Sequence, residues 1–108
     1  MVKNISEIKK VLREYKDELK RHNIRITKVI LYGSYAKGHP RPYSDIDLVI
    51  VSPDLARFPP LRRQELLAEL TMNIDAPLEV LGYTPEEFKK SNYTIFGQII
   101  RETGKLLH

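Results

Sequence analysis

The chain has 108 residues, 42% hydrophobic and 30% charged, with seven prolines and five glycines, so composition allows one ordinary domain over residues 1–108 and no second one. The absence of cysteine excludes a disulfide framework, a thiolate metal site and a cysteine nucleophile, and no apolar run approaches the ~20 residues of a membrane-spanning helix. The net charge of +4 is concentrated in the first 28 residues, which hold nine Lys/Arg against four Asp/Glu; the acids are interleaved, which predicts a solvated helix face rather than direct contact with nucleic acid.

From Ile5 onward Ile8, Leu12, Tyr15 and Leu19 recur at steps of three and four, the stripe of an amphipathic helix ending near His22 and Asn23. Asn4 is placed to cap it, with Glu7 returning the bond. Residues 28–32 (KVILY) and 45–51 (DIDLVIV) read as two buried strands. Pro59 and Pro60 open a helix over residues 61–72 with Leu66, Leu67 and Leu70 inward, and a third strand spans residues 78–83. Thr84, Pro85 and Glu87 form a capped start for a short helix to about residue 90. Residues 95–103 read as a last helix, with Gly104 as a left-handed cap and KLLH as a short edge strand. Strands without a helix between each pair predict a mixed sheet of the α+β class flanked by helices.

The chemistry is concentrated in residues 31–50, LYGSYAKGHPRPYSDIDLVI. Asp45 and Asp47, two apart in a strand, leave the same face while Ile46 and Leu48 point to the other. An isolated D-x-D is ordinarily a solvated strand start, yet this one runs straight into an apolar segment. Two repelling carboxylates beside a core call for a cation, and Mg²⁺ suits their oxygens. Gly33 and Ser34 follow the first strand directly, and a short helix begun there would turn its free amides toward the strand end. Gly33 would let backbone approach a phosphate, Ser34 would donate a hydroxyl, and Lys37 or Arg41 could reach anionic oxygens. Together, cradle and acid pair specify a site for a nucleoside triphosphate with Mg²⁺. Tyr32, Tyr35 and Tyr43 are candidates for stacking on a base or for plain packing, and His22, His39 and His108 lack ligand spacing.

Gly33-Ser34-Tyr35-Ala36-Lys37-Gly38, followed by Ser44-Asp45-Ile46-Asp47-Leu48, resembles the signature of the DNA polymerase beta superfamily of nucleotidyltransferases, nearest to its small stand-alone members, the minimal nucleotidyltransferases. The resemblance implies a polymerase-beta-like fold and a third carboxylate on a neighbouring strand. Glu79 stands at that place where aspartate is commoner, and Asp75, before Ala76-Pro77, is the rival. It further implies catalytic and metal roles for Asp45, Asp47 and Glu79, nucleotide contacts from Gly33, Ser34, Lys37 and Ser44, and two Mg²⁺ ions. The reaction implied is transfer of a nucleoside monophosphate, AMP from ATP foremost, to a hydroxyl. The implied acceptor is a tyrosine on a helical HEPN-type toxin, with this chain as antitoxin. Transfer to a small molecule such as an aminoglycoside, and a nucleotide-binding module with negligible turnover, are the alternatives. A cytoplasmic location without a membrane partner is expected, since MVKNISEIKK has no apolar stretch behind its charges.

Overall fold

The computed structural model describes residues 3–38, 40 and 44–108. Arg41, Tyr43 and His39 therefore lie outside the described residues. In chain order the elements are α1 (Ile5–Arg21), β1 (Lys28–Tyr32), α2 (Gly33–Ala36), β2 (Ile46–Val51), α3 (Pro60–Thr71), β3 (Leu78–Tyr83), α4 (Pro85–Lys90), α5 (Ile95–Thr103) and β4 (Lys105–Leu106), with 3-10 turns at Pro53–Arg57 and Ser91–Tyr93.

The helix ends follow the local chemistry. The Asn4 side chain accepts from the Glu7 amide at 2.9 Å and the Glu7 carboxylate accepts from the Asn4 amide at 3.2 Å, so two orphan donors of α1 are satisfied reciprocally. Thr84 and Glu87 repeat the arrangement at α4. α1 stops where Asn23 takes φ 59, a left-handed conformation that asparagine tolerates. No helix among the described residues is long and apolar enough to cross a membrane.

Among the described residues the strands form one mixed sheet in the order β3-β2-β1-β4. β1 runs antiparallel to β2 and β4, and β2 runs parallel to β3. Alternation along the strands divides the side chains between two faces. Val29, Leu31, Ile46, Leu48, Ile50 and Val80 join the apolar stripes of α1 and α3 in the larger core, where each fully buried Leu or Ile contributes roughly 1.5–3 kcal/mol. The Tyr15 hydroxyl donates to the Leu67 carbonyl at 2.8 Å, tying α1 to α3. On the other face Ile30, Val49, Val51 and Ile100 form a smaller core with Tyr32, Leu81, Tyr83 and Phe88 against it.

Gly104 is not the left-handed cap expected of it: its backbone is extended, φ −72 and ψ 153. A side chain there would run into the Ile100 carbonyl and the Ile30 side chain, so the glycine provides room for the chain to pass from α5 straight into β4.

Arg63, which the leucine spacing of α3 gave no reason to single out, is buried. Its guanidinium donates to the carbonyls of Leu55 at 3.2 Å, Gly82 at 3.4 Å and Phe58 at 3.5 Å, and to Glu87 at 2.6 and 3.4 Å. Burial alone would raise the Glu87 carboxyl; the Arg63 hydrogen bond, the Thr84 amide and the Arg63 charge outweigh it and hold the group below the ordinary value. The pair's contribution is therefore complete above the ordinary carboxylate range and lost as pH falls through the lowered value. Replacing Arg63 by Met keeps the bulk but strands those acceptors, and is expected to cost about 2–4 kcal/mol in urea unfolding at neutral pH.

Candidate active site

β1, β2 and β3 bring three polar side chains into one row. Tyr32 is the register partner of Asp47 in the antiparallel pair, and Asp47 is the register partner of Glu79 in the parallel one. Their neighbours two positions along, Ile30, Val49 and Leu81, lie in or against the smaller core, so all three belong to the face of the sheet that carries α4 and α5. Asp47 and Tyr32 are half-buried and Glu79 is exposed. Glu79 is thus the acid drawn beside Asp47, while Asp75 lies three residues before β3 on an exposed loop.

The expectation that both aspartates lie within a strand is corrected in one respect. β2 begins at Ile46, whose amide donates to the Pro77 carbonyl at 2.7 Å. The ladder starts at the Ile46–Leu78 pair, so Asp45 has no partner in it and stands one step outside, exposed at the strand mouth. Its charge still acts on Asp47. The Asp47 carboxyl is raised from 3.8 to about 6 by burial first, then by the negative charges of Glu79 and Asp45 and a hydrogen bond with Glu79. The Tyr32 phenol is pushed up as well, by burial and then by Asp47 and Glu79.

Gly33, directly after Tyr32, has φ +73, and a Cβ added to it would collide with the Asp47 carboxylate. The glycine therefore has a reason the sequence did not disclose: it lets the turn close over Asp47. Gly33→Ala is expected to cost about 1–3 kcal/mol from the left-handed backbone alone and to displace Asp47; urea unfolding and a Mg-ATP titration would show a loss in both.

Ser34 is half-buried in α2, and exposed Lys37 follows as its C-cap, its amide donating to the Gly33 carbonyl at 3.1 Å. Ser44 is half-buried immediately before Asp45. Tyr35 is not available for stacking: it is buried, and its hydroxyl accepts from the Lys3 amide at 3.2 Å. Tyr32 packs edge-on against Phe96, with ring centroids 5.5 Å apart. Phe96 was not a candidate, because its proximity to the acid row depends on how α5 returns to the sheet.

The Nucleotidyltransferase domain family model matches residues 12–103, the span that holds every strand of the acid row. The chain belongs to the nucleotidyltransferase domain family. Two relatives from Methanocaldococcus jannaschii both carry the name "Putative protein adenylyltransferase". One is 40% identical over 60 residues, covering 53% of this chain and 69% of that protein. The other is 32% identical over 100 residues, covering 92% and 96%. Among solved structures, a toxin-antitoxin with AMP-PNP matches with a TM-score of 0.62 and 23% identity over 89% of this chain and 71% of the other. A "putative nucleotidyltransferase" from Sulfolobus solfataricus gives 0.55 and 19% over 98% and 89%. At these identities the solved structures carry the fold, which is the polymerase-beta-like nucleotidyltransferase fold of the α+β class.

In this nucleotidyltransferase domain the acids offer only oxygen donors, the set a hard divalent cation takes. Among the described residues no three acidic or imidazole side chains are already gathered around one position. The Asp47 carboxyl is raised by burial first and then by the charges of Glu79 and Asp45, and a cation would offset the latter. In donor chemistry Asp47 and its register partner Glu79, with Asp45 one step outside the ladder, suit such an ion.

Proposed function

We propose that this nucleotidyltransferase moves AMP from ATP to a hydroxyl on a protein, a tyrosine of a HEPN-type toxin, and acts as that toxin's antitoxin. The observation that carries the transfer chemistry is the register pairing of Asp47 with Glu79, with Asp45 one step outside it. The names of the M. jannaschii relatives support protein as the acceptor, and the toxin-antitoxin neighbour with AMP-PNP supports both an adenine nucleotide and a toxin partner.

Asp45, Asp47 and Glu79 would hold Mg²⁺, in two ions, which when bound neutralises triphosphate charge and lowers the pKa of the attacking hydroxyl. Gly33 leaves the Asp47 carboxylate room at the mouth of the site. Ser34 and Lys37 orient the phosphates through a hydroxyl donor and a charge, and Ser44 contributes a further polar contact at the β2 entrance. The acceptor oxygen attacks the α-phosphorus, the bond from that phosphorus to the bridging oxygen breaks, and pyrophosphate leaves past α2. Glu79 receives the hydroxyl proton.

Ser34→Ala is expected to weaken Mg-ATP binding by about 1–2 kcal/mol, the scale of one hydrogen bond to a charged group, as read by calorimetric titration. The reaction itself is tested by incubating the protein and Mg²⁺ with ATP labelled at the α- or γ-phosphate in an extract of its source cells. Label in protein from the α-phosphate only, with labelled pyrophosphate from the γ-phosphate, is expected. Label in protein from the γ-phosphate would make the enzyme a kinase and overturn the reading.

A further inference from the structure

Three cations converge on a hollow of about 420 Å³ between β1, α4 and α5. Lys28, Phe88, Lys89, Asn92 and Arg101 line it, and among the described residues no acid does. Lys28 shares a register row with Val51 and Tyr83, four positions along the strands from the row of Tyr32, Asp47 and Glu79. At strand spacing the two rows are about 13 Å apart, so the hollow is separate from the acid row.

The neighbouring acids are committed elsewhere. On α4, Glu86 pairs with Lys90 and Glu87 with Arg63, and Glu102, beside Arg101 in sequence, does not line the hollow. Among the described residues Lys28, Lys89 and Arg101 have no ion pair. Two of them are gathered on one aromatic ring: the Lys28 ammonium lies 5.4 Å and the Arg101 guanidinium 4.5 Å from the Phe88 centroid. The ring attracts each cation, but the cations repel one another, and an anion in the hollow would offset that repulsion.

Part of the hollow is held in place before any ligand arrives. The Arg101 guanidinium donates to the Phe88 carbonyl at 2.7 Å, the Gly97 carbonyl at 3.1 Å and the Ser91 hydroxyl at 3.2 Å, which leaves its Nε–H and one Nη2–H uncommitted among the described residues. Thr27, on the rim beside Lys28, donates both its amide and its hydroxyl to the Val51 carbonyl at 2.9 Å. Groups fixed in this way lose little freedom on binding.

We propose that this hollow binds the phosphate group of a small free molecule, inorganic phosphate or a phosphomonoester. The donor set decides the class. Two ammonium groups, the remaining guanidinium protons and the Asn92 amide offer many donors, and a phosphate brings nearly two negative charges on several acceptor oxygens where a carboxylate brings one charge on two. A nucleic-acid backbone needs cations that continue along a track, whereas the next cation on α4, Lys90, is held by Glu86. A triphosphate complexed with Mg²⁺ has its charge partly neutralised, and the hollow offers that metal no carboxylate. The groove of Arg13, Lys16, Lys20 and Arg25 is a poorer phosphate site, because Asp17 lines it as well and Arg25 pairs with Asp54. The proposal stands independently of the transfer reading.

The test is an amide NMR titration of the whole chain in metal-free buffer with sodium phosphate, AMP, sodium acetate or a short RNA, at constant ionic strength. Phosphate is expected to shift the signals of Thr27, Lys28, Lys89, Asn92 and Arg101 to saturation, with acetate at least ~10-fold weaker. The same shifts with AMP would show that phosphomonoesters are taken too, and their absence would confine the site to the free ion. Lys28→Gln/Lys89→Gln is expected to weaken phosphate binding at least ~10-fold at unchanged Tm, and Asp47→Asn to leave it unaltered. Should the double variant lose its fold, Lys89→Gln alone is expected to act in the same direction. Shifts that do not saturate, or that acetate reproduces, would overturn the site, as would undiminished binding by a folded lysine variant. So would shifts confined to the Arg13–Arg25 groove, or loss of binding in Asp47→Asn. Binding of AMP without phosphate would make the nucleoside the feature read, and binding of RNA alone would make the surface a nucleic-acid contact; either overturns the proposal.

Discussion

Asp47→Asn is expected to lower nucleotidyl transfer by at least ~100-fold and, in metal-free buffer, to raise the Tm of the protein above neutral pH. The first effect follows from removing an anionic oxygen donor from the site proposed for Mg²⁺, whose stabilisation of transition-state charge is worth several kcal/mol. The second follows from the carboxyl being raised from 3.8 to about 6 by burial, by Glu79 and Asp45, and by the hydrogen bond with Glu79. Between those values the folded chain keeps a proton that the unfolded chain gives up, so native stability falls as pH rises from about 4 to about 6 and stays lower above. Asn removes that penalty. The Tm difference between variant and parent should be near zero at pH 4 and positive at pH 8, by calorimetry in chelator. A variant less stable than its parent at pH 8 would make Asp47 a structural residue.

Glu79→Gln is expected to leave Mg-ATP affinity nearly intact, because Asp45, Asp47 and the Gly33–Ser34 turn remain, and to slow transfer by at least ~100-fold through loss of the base. Glu79→Asp keeps the charge and shortens the reach, so its rate should lie between the two. Asp75→Asn should change neither quantity, since Asp75 lies on the exposed loop before β3 while Glu79 is the register partner of Asp47. Rates measured with one acceptor preparation decide the order; equal rates for Glu79→Gln and the parent would remove Glu79 from the chemistry.

What the sequence disclosed is what is encoded over short spans. The Asn4–Glu7 and Thr84–Glu87 boxes depend on residues three apart, and both form. The inward positions of Leu66, Leu67 and Leu70 follow from helical spacing, and all three are buried. The mixed sheet and the KLLH edge strand were legible in the same way. The features that the sequence left open or hid, and the Gly104 cap that it misplaced, depend on distant chain. Tyr35 is buried with its hydroxyl on an amide 32 positions away. Gly33 is explained by Asp47 across a strand pair, and Gly104 by Ile30 in β1. Arg63 is held by carbonyls and a carboxylate from three other segments. The acid row itself was half legible: Asp45 and Asp47 are sequence neighbours, but only the parallel pairing of β2 with β3 sets Glu79 beside them.

The most direct measurement on the site is an amide NMR titration of the isotope-labelled protein with Mg²⁺ and a non-hydrolysable ATP analogue. If the acid row and the Gly33 turn hold the nucleotide, the largest shifts fall on Gly33, Ser34, Lys37, Asp45, Asp47 and Glu79, and Asp47→Asn abolishes them. The cationic groove elsewhere on the molecule, lined by Arg13, Lys16, Lys20 and Arg25, is the natural competitor for a triphosphate. Shifts confined to that groove, and unaltered by Asp47→Asn, would contradict the assignment.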